Sequence, residues 1–276
     1  MKTKLLMIQG TSSGAGKSLI VTALCRILSN KGYKVAPFKS QNMSSFLFNI
    51  NNTDKIIAQA QAIQAIGARA NPDVRMNPIL LKPVGNYESE VYMNGNFYLK
   101  MKANEYYTNF VLSIGFKLVL DAFNSLKKDN EIIVLEGAGS PAEINILKYD
   151  IANMLLAKEI KAPVILVADI ERGGSFASIL GTITLLKPRY SKIIKGILLN
   201  KFRGEKHILF PAIKKIERHT KRPFLGIIPK IDHNIPAEDS LDNKINRNIN
   251  HISDNSEEID REIEKLSKTI ETVIDI

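Results

Sequence analysis

Three observations predict an α/β fold with a mostly parallel sheet wrapped by helices. Short apolar runs recur along the chain and are near-continuous rather than alternating, as in strands covered on both faces. Helical stretches separate these runs, as crossover connections do. A glycine-rich loop ending in Lys17-Ser18 stands between the first run and the first helix, and helix N-termini at that position suit anions.

The elements follow in order. "KLLMIQG" reads as the first strand, and "SLIVTALCRILSNKG" as a helix ended by Gly32. "KVAPF" is a second strand. "IIAQAQAIQAIGARA" is a helix of small and apolar residues, with Pro72 beyond its end. "EVYMNGNFYL" alternates around Asn94-Gly95, which predicts a tight hairpin. "EYYTNFVLSIGFKLVLDAFNSLKK" is one long helix. "EIIVLEG", "APVILVAD", "IKGILLNK" and "RPFLGIIP" complete the strands. The pattern stops near residue 241, so residues 1–241 form the predicted domain. Residues 242–256 are polar, Asn-rich and without period, and read as a linker. Residues 257–276 are periodic again. Ile259, Ile263, Leu266, Ile270 and Ile274 step by four and three, which predicts a C-terminal amphipathic helix. Such a stripe is expected to bury itself on its own domain or in a homodimer. There is no internal repeat.

Composition narrows the function classes. The 276 residues are 45% hydrophobic and 24% charged, as in an ordinary globular protein. No uninterrupted apolar run is long enough to span a bilayer, and the short run at Leu5–Ile8 reads as a buried strand rather than a leader. The single cysteine, Cys25, rules out an intrachain disulfide and points to the cytoplasm. The net charge of +10 comes from dispersed lysines with no Arg-rich arm. It reads as a Lys-rich surface, with neither a nucleic-acid nor a membrane partner expected. His207, His219, His233 and His251 lack metal-ligand spacing, and Cys25 lacks a histidine partner, so neither zinc nor a Cys-His nucleophile is expected.

"IQGTSSGAGKSLIVTAL" carries the clearest chemistry. In a P-loop, backbone N–H groups surround phosphate oxygens, the lysine neutralises charge and the hydroxyl binds Mg²⁺. Gly10, Thr11, Gly14, Ala15, Gly16, Lys17 and Ser18 form the candidate cradle, with Thr11 where the strict motif has its first glycine. Glu136 ends a buried strand in "VLEGAGSPAEIN", where an acid can hold Mg²⁺. Lys39, in "FKSQNM", follows the second strand and can steady a carboxylate becoming an acyl phosphate. Asp169 and Asn200 end two further strands, and an amide at Asn200 can read an adenine edge.

These motifs together resemble the synthetase part of the cobyric acid synthase family. The resemblance is carried by "GTSSGAGKS", "APFKSQNM", "MNPILLKP", "EGAGSPAEIN", "DIANM", "VADIERGGSFAS", "NKFRGE" and "PAEDSL", from about residue 5 to residue 241. It implies a P-loop NTPase of the dethiobiotin synthetase-like type, in the wider group with the MinD/ParA ATPases. It also implies an ATP- and Mg²⁺-dependent amide ligase of cobalamin biosynthesis. The implied substrate is the corrinoid adenosylcobyrinic acid a,c-diamide, its propionates amidated in turn to give cobyric acid through acyl phosphates. By the same resemblance, Lys17 and Ser18 hold ATP and Mg²⁺, Glu136 holds Mg²⁺, Asn200 reads adenine, and Asp150 orients substrate or metal.

The departures carry expectations of their own. Typical members have a glutaminase domain after "PAEDSL", whereas here the Asn-rich linker and the last helix follow. Nitrogen is therefore expected from free ammonia or a separate glutaminase subunit. Ile56 stands where the family has an acid, so Asp54 is the expected substitute as a Mg²⁺ ligand, and Arg75 replaces another usual acid. Two rival readings are a ParA/MinD-like ATPase switch and a nucleotide-binding remnant. Ser12, where such switches carry a signature lysine, argues against the first; Ile56 and the missing glutaminase domain motivate the second.

Overall fold

A computed structural model describes residues 3–50, 53–236 and 256–274. The first half runs β1 (Lys4–Gly10), α1 (Lys17–Asn30), β2 (Val35–Phe38), β3 (Gln41–Met43), β4 (Leu47–Asn49), β5 (Ile56–Ala58) and α2 (Gln59–Gly67). There follow β6 (Ile79–Gly85), β7 (Glu88–Met93), β8 (Asn96–Lys102), α3 (Ala103–Glu105), a π-helical segment (Tyr106–Gly115) and α4 (Phe116–Asp129). The second half runs β9 (Ile132–Glu136), α5 (Met154–Glu159), β10 (Val164–Asp169), α6 (Ser175–Leu185), α7 (Pro188–Ser191), β11 (Ile194–Phe202), α8 (Phe210–Thr220), β12 (Phe224–Pro229) and α9 (Ser256–Glu271).

The central sheet has the order β12-β11-β10-β1-β9-β2, and every pair in it is parallel. The continuous apolar runs predicted as strands form it. Met7, Ile8, Val134, Leu135, Leu166, Val167, Leu198 and Leu199 are all fully buried, because helices cover both faces. The chain leaves β1 toward β9 and β2 on one side and later returns to β10 on the other. The carboxyl ends of β1, β9, β10 and β11 therefore border the crevice such a reversal creates.

A second sheet has the order β3-β6-β7-β8, and its Ile79, Leu81 and Val91 share a core with the first. Its β7–β8 hairpin turns at Asn94 (φ 45°) and Gly95 (φ 82°), the positive-φ pair that the dipeptide predicts. β4 and β5 form a separate antiparallel pair. The expected helix starting at Ile56 begins only at Gln59, because Ile56–Ala58 pairs with β4. The expected long helix is also not uniform: Tyr106–Gly115 is π-helical between two α segments. The stretch Ala103–Asp129 is long and apolar enough, by length and composition alone, to cross a membrane. Its Phe110, Val111, Val119, Phe123 and Leu126 instead join the core with Phe38 and Met7.

The C-terminal stripe packs on its own domain. Ile259, Ile263, Leu266, Ile270 and Ile274 join Ile20, Val21, Leu24, Ile27 and Ile63 in one cluster, so α9 lies across α1 and α2. Arg26 fixes this docking. It is fully buried, pairs with Asp260 and with Glu264 (3.3 Å), and donates to the Gly67 and Ile66 carbonyls at 3.0 Å. A guanidinium without access to water needs every one of these acceptors. Residues 242–255 of the predicted linker, and all of "PAEDSL" after Pro236, lie outside the described residues.

Candidate active site

The loop after β1 turns into α1 through Gly16, at φ 93°. A Cβ there would sit 2.1 Å from Asn200 Nδ2, so only glycine lets β11 approach the loop. Gly10 is needed for space as well: a Cβ would lie 2.9 Å from Ser12 O and 3.1 Å from Lys17 Nζ. The Thr11 N–H donates to Val167 O at 2.9 Å, which ties the loop to the end of β10. Ala15 is buried, and its carbonyl accepts from Asn200 Nδ2 at 2.9 Å.

Lys17 is buried, and its ammonium donates to Ser12 O (3.1 Å) and Gly139 O (3.3 Å), bridging the loop to the strand-end segment after β9. Glu136 is 1% exposed and accepts from Ser18, Lys39 and Gln64. Ser18 Oγ donates to its Oε1 at 2.9 Å, Lys39 Nζ to the same oxygen at 2.8 Å, and Gln64 Nε2 to Oε2. Ser18, Lys39 and Glu136, expected from three separate motifs, thus meet at one point, with Lys17 bonded to the segment that follows Glu136. Hard oxygen donors, a hydroxyl and a carboxylate, are what Mg²⁺ takes beside phosphate.

Asp150 sits at the edge of this cluster. Asn153 Nδ2 donates both to Asp150 Oδ1 (3.0 Å) and to Ala138 O (2.7 Å), and Ser40 Oγ donates to Ile151 O (3.0 Å). Burial pushes the Asp150 carboxyl up to about 7, against the pull of hydrogen bonds from Asn153 and neighbouring backbone N–H groups. A raised carboxyl pKa contributes stability at acid pH that is lost as pH rises through about 7. Asp150→Asn is therefore expected to lose less thermal stability than the parent between about pH 5 and about pH 8. Parallel melting-temperature profiles for the two proteins would rule out the raised pKa.

Asp54 is not brought to this cluster. It lies exposed in the turn between β4 and β5 and makes no hydrogen bond or ion pair among the described residues. The short β4–β5 pairing holds Ile56 in a strand and carries the turn to the surface. Arg75 is engaged elsewhere, in a bidentate pair with Asp73 and a 2.6 Å pair with Asp129. The described residues contain no group of three or more His, Cys, Asp or Glu side chains able to hold a metal by themselves.

Several site residues escape sequence reasoning. Gln64 reaches Glu136, Gln61 donates to Gln64, and Asn42 donates to Gln61 at 2.8 Å, forming a buried amide chain. The signal available was two glutamines three residues apart, on one face of an alanine-rich helix. Lys201 is another. Its φ of 61° turns the β11 end so that Nζ donates to Gly14 O (2.7 Å) and Asp169 Oδ2 (2.9 Å). Positive φ at a lysine is uncommon, and such backbone concentrates at functional sites. From the loop a cavity of about 720 Å³ extends past Asn200 and Lys201 to Pro229, Asn234 and α9.

The chain is similar to known proteins over most of its length. The family profile described as the CobQ/CobB/MinD/ParA nucleotide binding domain matches residues 6–244. A probable cobyric acid synthase of Thermococcus kodakarensis is 47% identical over 242 residues, covering 86% of this chain and 49% of that protein. The cobyric acid synthase of Thermodesulfovibrio yellowstonii is 50% identical over 239 residues, covering 86% and 47%. The chain thus spans about half the length of the curated relatives it matches. Among solved structures, the signal recognition particle receptor FtsY of Elizabethkingia anophelis in complex with GDP matches at 15% identity with a TM-score of 0.48. That match covers 82% of this chain and 57% of FtsY.

Proposed function

The chain belongs to the CobQ/CobB/MinD/ParA nucleotide-binding family, and from that premise we propose that it amidates corrinoid carboxylates at the expense of ATP. The reading takes the activity named for its relatives, cobyric acid synthesis, and assigns it to this site. The substrate would be adenosylcobyrinic acid a,c-diamide. The observation that carries the reading is the convergence of Ser18 and Lys39 on Glu136 beside Lys17. One end of the site suits a triphosphate, and the other presents a buried ammonium to an incoming carboxylate.

The chemistry follows from those positions. A substrate carboxylate oxygen attacks the γ-phosphorus of ATP, the β–γ bridging bond breaks, and ADP leaves. Ammonia then adds to the acyl carbon, phosphate departs with its bonding pair, and the nitrogen gives up one proton to the phosphate or to water, leaving the amide. Lys17 would neutralise the β- and γ-phosphates, and Lys39 the charge between carboxylate and phosphoryl group. Phosphoryl transfer of this kind rests on positioning and cation stabilisation rather than on a protein nucleophile. Mg²⁺, held by Ser18 and Glu136, would neutralise phosphate charge. Asn153 holds Asp150 at the rim, where its carboxylate can orient ammonia or substrate.

The sequence has one cysteine, Cys25, buried within α1, and burial drives its thiol far above the range where a thiolate forms. Glutamine hydrolysis by a thiolate is thus unsuited to these 276 residues, and ammonia, free or from a separate glutaminase subunit, is the proposed nitrogen donor. Incubation with MgATP, the corrinoid diamide and either ammonium or glutamine, followed by mass spectrometry, tests both statements. Successive amidation with ammonium alone is expected. No amidation with ammonium overturns the function, and equal rates with glutamine overturn the nitrogen source.

A further inference from the structure

The cavity that begins at the P-loop has its far wall in α9. At the inner end are Gly16, Lys17 and Ser18, where phosphates would lie; at the outer end are Pro229 at the end of β12, Ile231 just after it, and Lys265, Leu266 and Ile270 of α9. The two outer walls are tied together. Glu262 of α9 accepts from the Asn234 backbone N–H at 3.1 Å, pinning the segment after β12 to the helix. α9 is itself held to α1 by Arg26 and by the buried stripe. A ligand confined to the phosphate end would not meet α9, whereas one carrying a nucleoside into the outer compartment would.

Resting on the nucleotide reading above, we infer that α9 is a nucleoside-contacting wall of the ATP site, so that nucleoside binding and docking of this helix are coupled. The coupling is reciprocal: a ligand held between two elements stabilises their docked arrangement, and loosening that arrangement weakens the ligand to the same degree. The phosphates supply binding energy at the loop without involving α9. The base and ribose supply the part that depends on it.

Two ligands separate these parts: MgATP, and magnesium tripolyphosphate, which carries the phosphates without a nucleoside. In hydrogen exchange of the full chain, MgATP is expected to slow the amides of α9, and tripolyphosphate to leave them unchanged. By calorimetry, Glu262→Ala is expected to weaken MgATP about fivefold, the value of one hydrogen bond, and to leave tripolyphosphate affinity unaltered. Equal protection of α9 by both ligands overturns the inference, as does an equal loss of both affinities in the variant. A parent chain that binds neither ligand refutes the phosphate site itself, and the coupling falls with it.

Discussion

Lys17→Ala is expected to lower MgATP affinity or turnover by about tenfold to a hundredfold, the value of one charge-assisted contact of roughly 1.5 to 3 kcal/mol. The ammonium lies where the loop closes and donates to the carbonyls of Ser12 and Gly139. Those neutral acceptors can be exchanged for phosphate oxygens, which bind a cation more strongly. The side chain is buried, so water cannot replace the lost charge cheaply. Equilibrium binding and steady-state kinetics on the purified variant measure the effect, with circular dichroism to verify the fold. Parent-like affinity and turnover together would remove the loop from the site.

Ending the chain after residue 255 is expected to lower the melting temperature by on the order of 10 °C or more, or to make the protein insoluble. Five aliphatic side chains of the C-terminal stripe are buried, none more than 7% exposed. At roughly 1.5 to 3 kcal/mol each, their gross contribution approaches the whole net stability of a domain, about 5 to 15 kcal/mol. The entropy of ordering the helix offsets part of it. Removal also bares Ile20, Leu24 and Ile63 to water and leaves the Arg26 guanidinium without its carboxylates. A buried charge stripped of its partners adds a further penalty of a few kcal/mol. An unchanged melting temperature and solubility would show that α9 adds nothing to the domain.

The central sheet was legible because its strands are fully covered. Runs such as "EIIVLEG" and "APVILVAD" need no partner knowledge to be read as interior. The second sheet was legible only at Asn94-Gly95, where turn chemistry is local. β3, β4 and β5 are three residues each, too short to show a period, and exist because of what they pair with. The same division holds in the site. Lys17, Ser18, Lys39 and Glu136 could be named because loops at strand ends have few other uses for them. Gln61 and Gln64 could not, because burial of an amide beside a carboxylate is a tertiary fact. Proximity in sequence to Ile56 suggests Asp54, but the β4–β5 turn sends it outward. The stripe on α9 announced that it would be buried; Arg26, an arginine within "LCRIL", was the only local hint of where.

Transfer of oxygen from substrate to phosphate tests the central claim most directly. A corrinoid diamide with ¹⁸O in its free carboxylates is incubated with the chain, MgATP and ammonium, and the released inorganic phosphate is weighed by mass spectrometry. Activation through an acyl phosphate predicts one carboxylate oxygen in phosphate for every amide formed, with ADP as the other product. Unlabelled phosphate, or label recovered in AMP, would contradict it.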